Sequence, residues 1–419
     1  MKAVGLITEY NPMHNGHLYH ISEAKKISGA DLTIAVMSGN YVQRGEPSII
    51  DKYSKTKIAM ESGIDLVIEL PAVYSLLSAE GFAKGAVGIC NHLYVDSIVF
   101  GSESGDINQL DCIASLLVNE SEEFKEIVRK YSSQGESYAS SRQLAVKSIL
   151  GEQYSSLLSD SNNILGIEYL KAVKTLKYDI KTYTIKREGS EYNDENINKC
   201  NYSSATSIRN IILNPQYTHE NIVNTIKNNV PNSLLNYINE SFKPVALSDY
   251  SDILSYRLTM LLKESEYNKD SFFEILSKYP DVNRDISNAV FNQSYSVISG
   301  KNVWDYEAFA ANIRSKNIAL SRVKRILMRL ILGLDNNALE FYKDVPYIRI
   351  LGFNNKGRQY LSELKKKTDI PLIIKTADYK KLLNYEFNCC NIYNNIVYSK
   401  YKTILSNEYN SGPVIIDKT

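Results

Sequence analysis

A chain of 419 residues is longer than one hydrophobic core usually grows, so two or three domains are expected. With 44% hydrophobic and 23% charged residues and a net charge of +1, it is neither a disordered tail nor a globally basic nucleic-acid coat, and a polyanionic partner would have to be held by local patches. Its five scattered cysteines form no CxxC pair and argue against a disulfide framework or zinc ribbon, which fits a reducing, cytoplasmic setting. The first apolar run is too short for a secretory signal, and no stretch approaches the roughly 20 apolar residues of a membrane span.

In chain order, residues 2–8, 32–38, 66–69 and 97–101 read as short buried strands separated by segments of helical spacing. That alternation predicts an α/β domain with a Rossmann-like parallel sheet and crossover helices. Ligands of such sheets sit beyond the carboxyl ends of the strands, so loops starting at Glu9, Gly39, Leu70 and Gly101 should surround one crevice. Residues 106–158 read as a helical insertion, 178–186 as a further strand, and a capped helix should begin near Ser203. After Pro215 the pattern is mostly helical to about residue 340. The last stretch mixes strands at 347–352 and 371–375 with a helix at 357–367. The expected division is a catalytic domain over 1–215, a helical domain over 216–335 and a small mixed α/β region over 336–419.

Three of the five histidines fall within the run Asn11-Pro12-Met13-His14-Asn15-Gly16-His17-Leu18-Tyr19-His20, directly behind the first strand and at the start of a helix. His14 and His17, three apart on the first turn, share a face. Gly16 removes a side chain where a phosphate could approach the backbone, and the free N–H groups of the helix terminus attract anions. The arrangement suits a triphosphate, with imidazole donors following charge that develops on the α-phosphate and the leaving pyrophosphate. Two other readings use the same residues: the histidines cap the helix, or His14, His17 and His20 bind zinc. The zinc reading lacks both the Glu of an HExxH site and any accompanying cysteine. A second constellation, Ser203-Ser204-Ala205-Thr206-Ser207-Ile208-Arg209, places hydroxyls and one guanidinium at a helix start, as an N-cap followed by a surface arginine or as a second phosphate contact through Ser204, Thr206 and Arg209.

The HNGH stretch resembles the HxGH signature of nucleotidylyl transferases and class I aminoacyl-tRNA synthetases, and SSATSIR resembles the distal motif of the transferases. GLITEYNPMHNGHLYH, AVMSGNYVQRGEP, SGIDLVIELP, FGSESGD, SNNILGIEYLKA and YSSATSIR, in that order, resemble successive signatures of the bacterial tRNA(Met) cytidine acetate ligase family. The resemblance implies that ATP, as cosubstrate, and acetate form acetyl-adenylate. The acetyl group then passes to the exocyclic amine of the wobble cytidine of elongator methionine tRNA. It also implies an ATP site comprising Ile7, Thr8, Glu9, Tyr10, Asn11, Pro12, Met13, His14, Asn15, Gly16, His17, Leu18, Tyr19 and His20, with Gly101, Asn162 or Asn163, and Arg187, in which His14 and His17 are catalytic. Mg²⁺ is compatible with such a site, although no metal-ligating set stands out. One departure is that Tyr192-Asn193-Asp194 stands where the family pattern has Tyr-His-Asp, so no proton-transfer role follows for that position.

Gln43 and Arg44, in a loop at a strand end, are candidates to contact acetate or the target base, or hold a structural ion pair. Between Ala311 and Leu334 stand Arg314, Lys316, Arg322, Lys324, Arg325 and Arg329 with only basic charges among them. Val323, Ile326, Leu327, Leu330 and Leu334 give one inward face, leaving Arg322, Arg325 and Arg329 on its flank. That helix reads either as a solvated surface or as a tRNA phosphate contact, shared with Lys356, Arg358 and residues 365–367. Two alternative functions use the same motifs: a small-molecule adenylyltransferase, and an RNA-binding protein whose nucleotide site is vestigial. The half of the chain beyond the last motif favours a large second substrate over the first. Intact HNGH and SSATSIR argue against the second.

Overall fold

The protein is described here from a computed structural model covering residues 1–187, 203–315 and 317–416. Tyr192, Asn193 and Asp194 lie outside the described residues, as does Lys316. The predicted strands form: β1 (Ala3–Thr8), β2 (Leu32–Ser38), β5 (Leu66–Leu70), β6 (Ser97–Ser102) and β7 (Lys181–Lys186). They pair in parallel in the order β5-β2-β1-β6-β7. Every residue of β2 and β5 is buried, as expected for parallel strands covered on both faces. Helices α1 (Asn15–Ser28) and α2 (Lys52–Glu61) belong to the core on one face. The helices Ala79–His92 and Ser161–Leu176 belong to the core on the other. Chain order reverses across the pair β1 and β6, so a crevice opens beyond their carboxyl ends. Helices Ile107–Val118, Glu122–Ser133 and Tyr138–Leu150 fill the stretch read as an insertion. Residues 39–47 also contain a feature the sequence did not suggest, a short hairpin of β3 (Tyr41–Val42) and β4 (Glu46–Pro47).

The last eighty residues do not form a separate sheet. β8 (Ile348–Phe353) joins the parallel sheet antiparallel to β5, while β9 (Leu372–Ile373) and β10 (Val414–Ile415) pair with β8. A buried charge cluster ties this segment to α2 and β5. Lys52 Nζ donates to Glu69 Oε1 at 2.7 Å and also pairs with Glu408, which takes Arg349 Nη2 at 3.3 Å. All four side chains are at most 2% exposed. Charges buried this deeply persist only when paired, which fixes the C-terminal strands against the sheet edge.

The basic helix forms over Leu320–Leu332, and Val323, Ile326, Leu327 and Leu330 face inward as their spacing predicts. Its arginines do not make the solvated flank expected of them. Arg329 is 1% exposed and bonds Pro280 O at 2.8 Å and Asp281 Oδ2 at 2.9 Å. Arg325 is buried against the β3–β4 turn, and Arg322 donates to Asp281 O at 2.7 Å. The counter-charge missing locally is supplied to Arg329 by Asp281, 48 residues upstream. Lys356 and Arg358 are exposed, on the helix that follows β8. Because β8 runs antiparallel, the helix after it begins at the amino ends of the parallel strands, where Lys356 Nζ reaches Asp31 O.

Candidate functional site

The crevice beyond β1 is built around the histidine motif. Tyr10 turns the chain out of β1 with φ of +45°, a conformation that costs a non-glycine residue about 1–3 kcal/mol and is retained mainly where the surroundings demand it. Its ring is 1% exposed and lies edge-on to His17 at 5.0 Å. The neighbouring polar group is the Thr8 hydroxyl, and among the described residues neither hydroxyl makes a hydrogen bond of good geometry. Both residues line the crevice.

His14 is the N-cap of α1. Its Nδ1 accepts from Gly16 N at 3.1 Å while His17 Nδ1 accepts from His14 N at 3.2 Å, a reciprocal capping box made by two imidazoles. The ring centroids lie 3.8 Å apart, with the planes tilted by 33°. With Nδ1 accepting on both, the neutral rings carry their protons on Nε2. Burial, reinforced by the Arg187 and Arg209 charges, pushes His14 down to about 3. Burial and its neighbours hold His17 well below the usual imidazole range. Both are therefore neutral donors at pH 7. The capping and ligand readings of the motif are compatible: one nitrogen of each ring builds the helix terminus and leaves the other for a ligand. Gly16 is required by the ring itself, since a Cβ there would lie 2.9 Å from His14 Cε1. His20 differs, because its Nε2 meets Val99 O at 3.1 Å and so ties α1 to β6. Among the described residues no cluster of three or more His, Cys, Asp or Glu side chains could hold a metal ion.

The second motif arrives on the helix Ala205–Ile212. Ser204 caps it, accepting from Ser207 N at 3.0 Å. Arg209 donates to Asn11 O at 2.7 Å and Thr206 Oγ1 at 3.1 Å, so the two motifs are bonded to each other across 198 residues. The opposite wall comes from β6, β7 and the Ser161–Leu176 helix, with Gly101, Arg187 and Asn162. Asn163 is fully buried and instead accepts from Glu103 N and Ser104 N at 3.1 Å, holding the loop after β6. Of the residues expected at the ATP site, Ile7, Thr8, Glu9, Tyr10, Asn11, His14, Gly16, His17, Tyr19 and His20 line the crevice with Gly101, Asn162, Arg187, Ser204, Thr206 and Arg209. Pro12, Met13, Asn15, Leu18 and Asn163 do not.

The remaining wall is the β3–β4 turn with Gln43, Arg44 and Glu46. Gln43 N donates to Glu9 Oε1 at 2.6 Å. Burial raises the Glu9 carboxyl, and the Gln43 N–H, Lys55, Arg44 and Arg209 pull it back. Lys55, bonded to Glu9 O at 3.0 Å and Ser38 O at 2.8 Å, is pushed by burial down to about 7. Sequence reasoning missed Lys55, in the first turn of α2, because nothing local marks its contacts to Glu9 O and Ser38 O. It also missed the apolar lining of Phe82, Phe100, Leu165 and Tyr169, whose hydrophobicity resembles that of any core position. Arg325, Arg329, Arg322, Lys356 and Arg358 take no part in this crevice.

A parallel sheet with its switch point at β1, a histidine-capped helix terminus and a hydroxyl-arginine cap facing it define a nucleotidyl transferase. The family description "HIGH Nucleotidyl Transferase" matches residues 1–408. The chain is 40% identical over 386 residues to the tRNA(Met) cytidine acetate ligase of Caldanaerobacter subterraneus subsp. tengcongensis, covering 91% of this chain and 90% of the relative. It is 41% identical over 391 residues to the protein of the same name from Acetivibrio thermocellus, covering 91% and 90%. Among solved structures, Thermotoga maritima TmcAL superposes with a TM-score of 0.87 in its apo form and 0.85 when bound with alpha-thio ATP, each 30% identical over 100% of both chains. The chain belongs to the tRNA(Met) cytidine acetate ligase family of HIGH nucleotidyl transferases.

Proposed function

We propose that the protein is a ligase that activates acetate with ATP as acetyl-adenylate, releasing pyrophosphate. It then transfers the acetyl group to the exocyclic amine of the wobble cytidine of elongator methionine tRNA. The single observation that carries this reading is the bonded pair of motifs. Arg209 reaches Asn11 O while the neutral imidazoles of His14 and His17 lie against each other at the terminus of α1. In the first step a carboxylate oxygen of acetate attacks the α-phosphorus and the bond to the bridging oxygen of pyrophosphate breaks. His14 and His17 donate Nε2–H bonds to oxygens gaining charge. Arg209, Thr206 and Ser204 hold the outer phosphates, and Arg187 and Gly101 the nucleoside side. In the second step the amine attacks the acetyl carbonyl, AMP leaves and a proton is lost from nitrogen. Magnesium accompanying ATP would be carried by the phosphates, because the carboxylates of this wall, Glu9 and Glu46, are engaged by Gln43 N and Lys324 Nζ. No helix among the described residues is long and apolar enough to cross a membrane, and Cys90, Cys112, Cys389 and Cys390 are free thiols.

Incubating purified protein with ATP, acetate and radiolabelled pyrophosphate, with and without tRNA, tests the reading. Acetate-dependent exchange of label into ATP is the expected result. Absence of exchange with every carboxylate tried would instead favour transfer of AMP to a small acceptor.

A further inference from the structure

The β3–β4 turn is gripped from two sides. Inside, Glu9 at the end of β1 accepts from Gln43 N at 2.6 Å. Outside, the helix Leu320–Leu332 lies against it. Lys324 Nζ donates to Glu46 Oε1 at 2.6 Å, and Arg325 Nη1 to Gln43 O at 3.3 Å. Contact at Gly45 is backbone to backbone. Its φ is +79°, and a Cβ would stand 2.4 Å from Arg325 N and 2.6 Å from Lys324 C. The helix is itself anchored, by Tyr306 OH to Lys324 O at 3.1 Å and by Arg329 to Asp281. Lys324 is outside the crevice lining, whereas Gln43, Arg44 and Glu46 are part of it.

The sheet order says which substrate that turn serves. Gly101, near the carboxyl end of β6, and Arg187, just after β7, lie on one side of β1, and the phosphate cradle lies at β1 itself. The turn follows β2 on the other side of β1, so it walls the end of the crevice left over once the nucleotide is placed. We infer that Lys324, with Gly45, is a positioning residue through which the helical region sets the carboxylate-binding end of the crevice. This deepens the acetate-ligase reading and rests on it. Lys324 fixes Glu46, the close approach at Gly45 fixes the turn's height, and together they aim Gln43 and Arg44 at the acetate rather than at ATP.

The test is steady-state ATP–pyrophosphate exchange by the full chain, varying acetate at saturating ATP and ATP at saturating acetate. Lys324→Met, which keeps the aliphatic stem, should raise KM for acetate about tenfold, the scale of one lost charge-assisted bond, with KM for ATP within about twofold of the parent. Lys324→Arg should recover most of the loss. Gly45→Ala should raise the acetate KM further, because backbone must yield. A merely structural lysine would move both KM values together or neither. An unchanged acetate KM in Lys324→Met, an equal rise in both, or no recovery by arginine overturns the inference. Wild-type protein that shows no acetate-dependent exchange overturns the ligase reading instead, so the two failures are distinct.

Discussion

Replacing Gly16 by alanine would separate the catalytic work proposed for the histidine motif from its structural work. The added Cβ would sit 2.9 Å from His14 Cε1 and 3.0 Å from Nδ1, against about 3.5 Å or more for comfortable contact, so the ring must retreat by about half an ångström. It cannot retreat freely, because its centroid lies 3.8 Å from that of His17. The retreat weakens the cap from Gly16 N, worth about 1 kcal/mol, while alanine in a helix returns about 0.5–1 kcal/mol over glycine. These terms offset, and the melting temperature should stay within about 3 °C of the parent. Catalysis has no such offset. A displacement of about 1 Å at a reacting group costs on the order of 10²-fold, so turnover in acetate-dependent exchange should fall roughly 10- to 100-fold. Thermal melts read alongside exchange kinetics make the test. Turnover within twofold of the parent would show that His14 is not aimed at the reacting phosphate. A large drop in melting temperature would show that Gly16 serves the fold instead.

Three further outcomes follow from the same geometry. Arg209→Ala should raise the KM for ATP about tenfold or more, and should also lower turnover because Asn11 O loses its 2.7 Å partner beside the histidines; an effect on neither constant removes Arg209 from the site. Arg329→Ala should destabilise the fold by about 2 kcal/mol or more, through a buried cavity and two lost bonds, as read by urea denaturation; a change confined to RNA affinity would restore the phosphate-contact view of that helix. His14 titrates near 3 in the folded protein and near 6.5 when unfolded, so between those values the unfolded chain binds the extra proton and stability rises with pH. For this 6%-exposed ring the loss from pH 7.5 to pH 5 should be about 2 kcal/mol, and a His14→Gln variant should show a correspondingly flatter melting profile over that range.

The amino-acid sequence by itself determined the parallel core and the chemistry at its edge. Short apolar runs such as β2 and β5 read as strands buried on both faces, and a histidine pair three apart behind the first strand marked a helix terminus suited to phosphate. Both are local signals carried by residues close in the chain. The tertiary structure alone decided the partners of isolated charges. Lys52, Glu69, Arg349 and Glu408 are scattered over more than three hundred residues, yet together they insert β8 into the catalytic sheet. Asp281 neutralises arginines that read locally as an RNA surface, and Lys324 reaches back 278 residues to Glu46. Burying a charge demands a counter-charge but does not say from where along the chain it must come, so periodicity located the helix correctly while only the packed fold could show which of its faces met water.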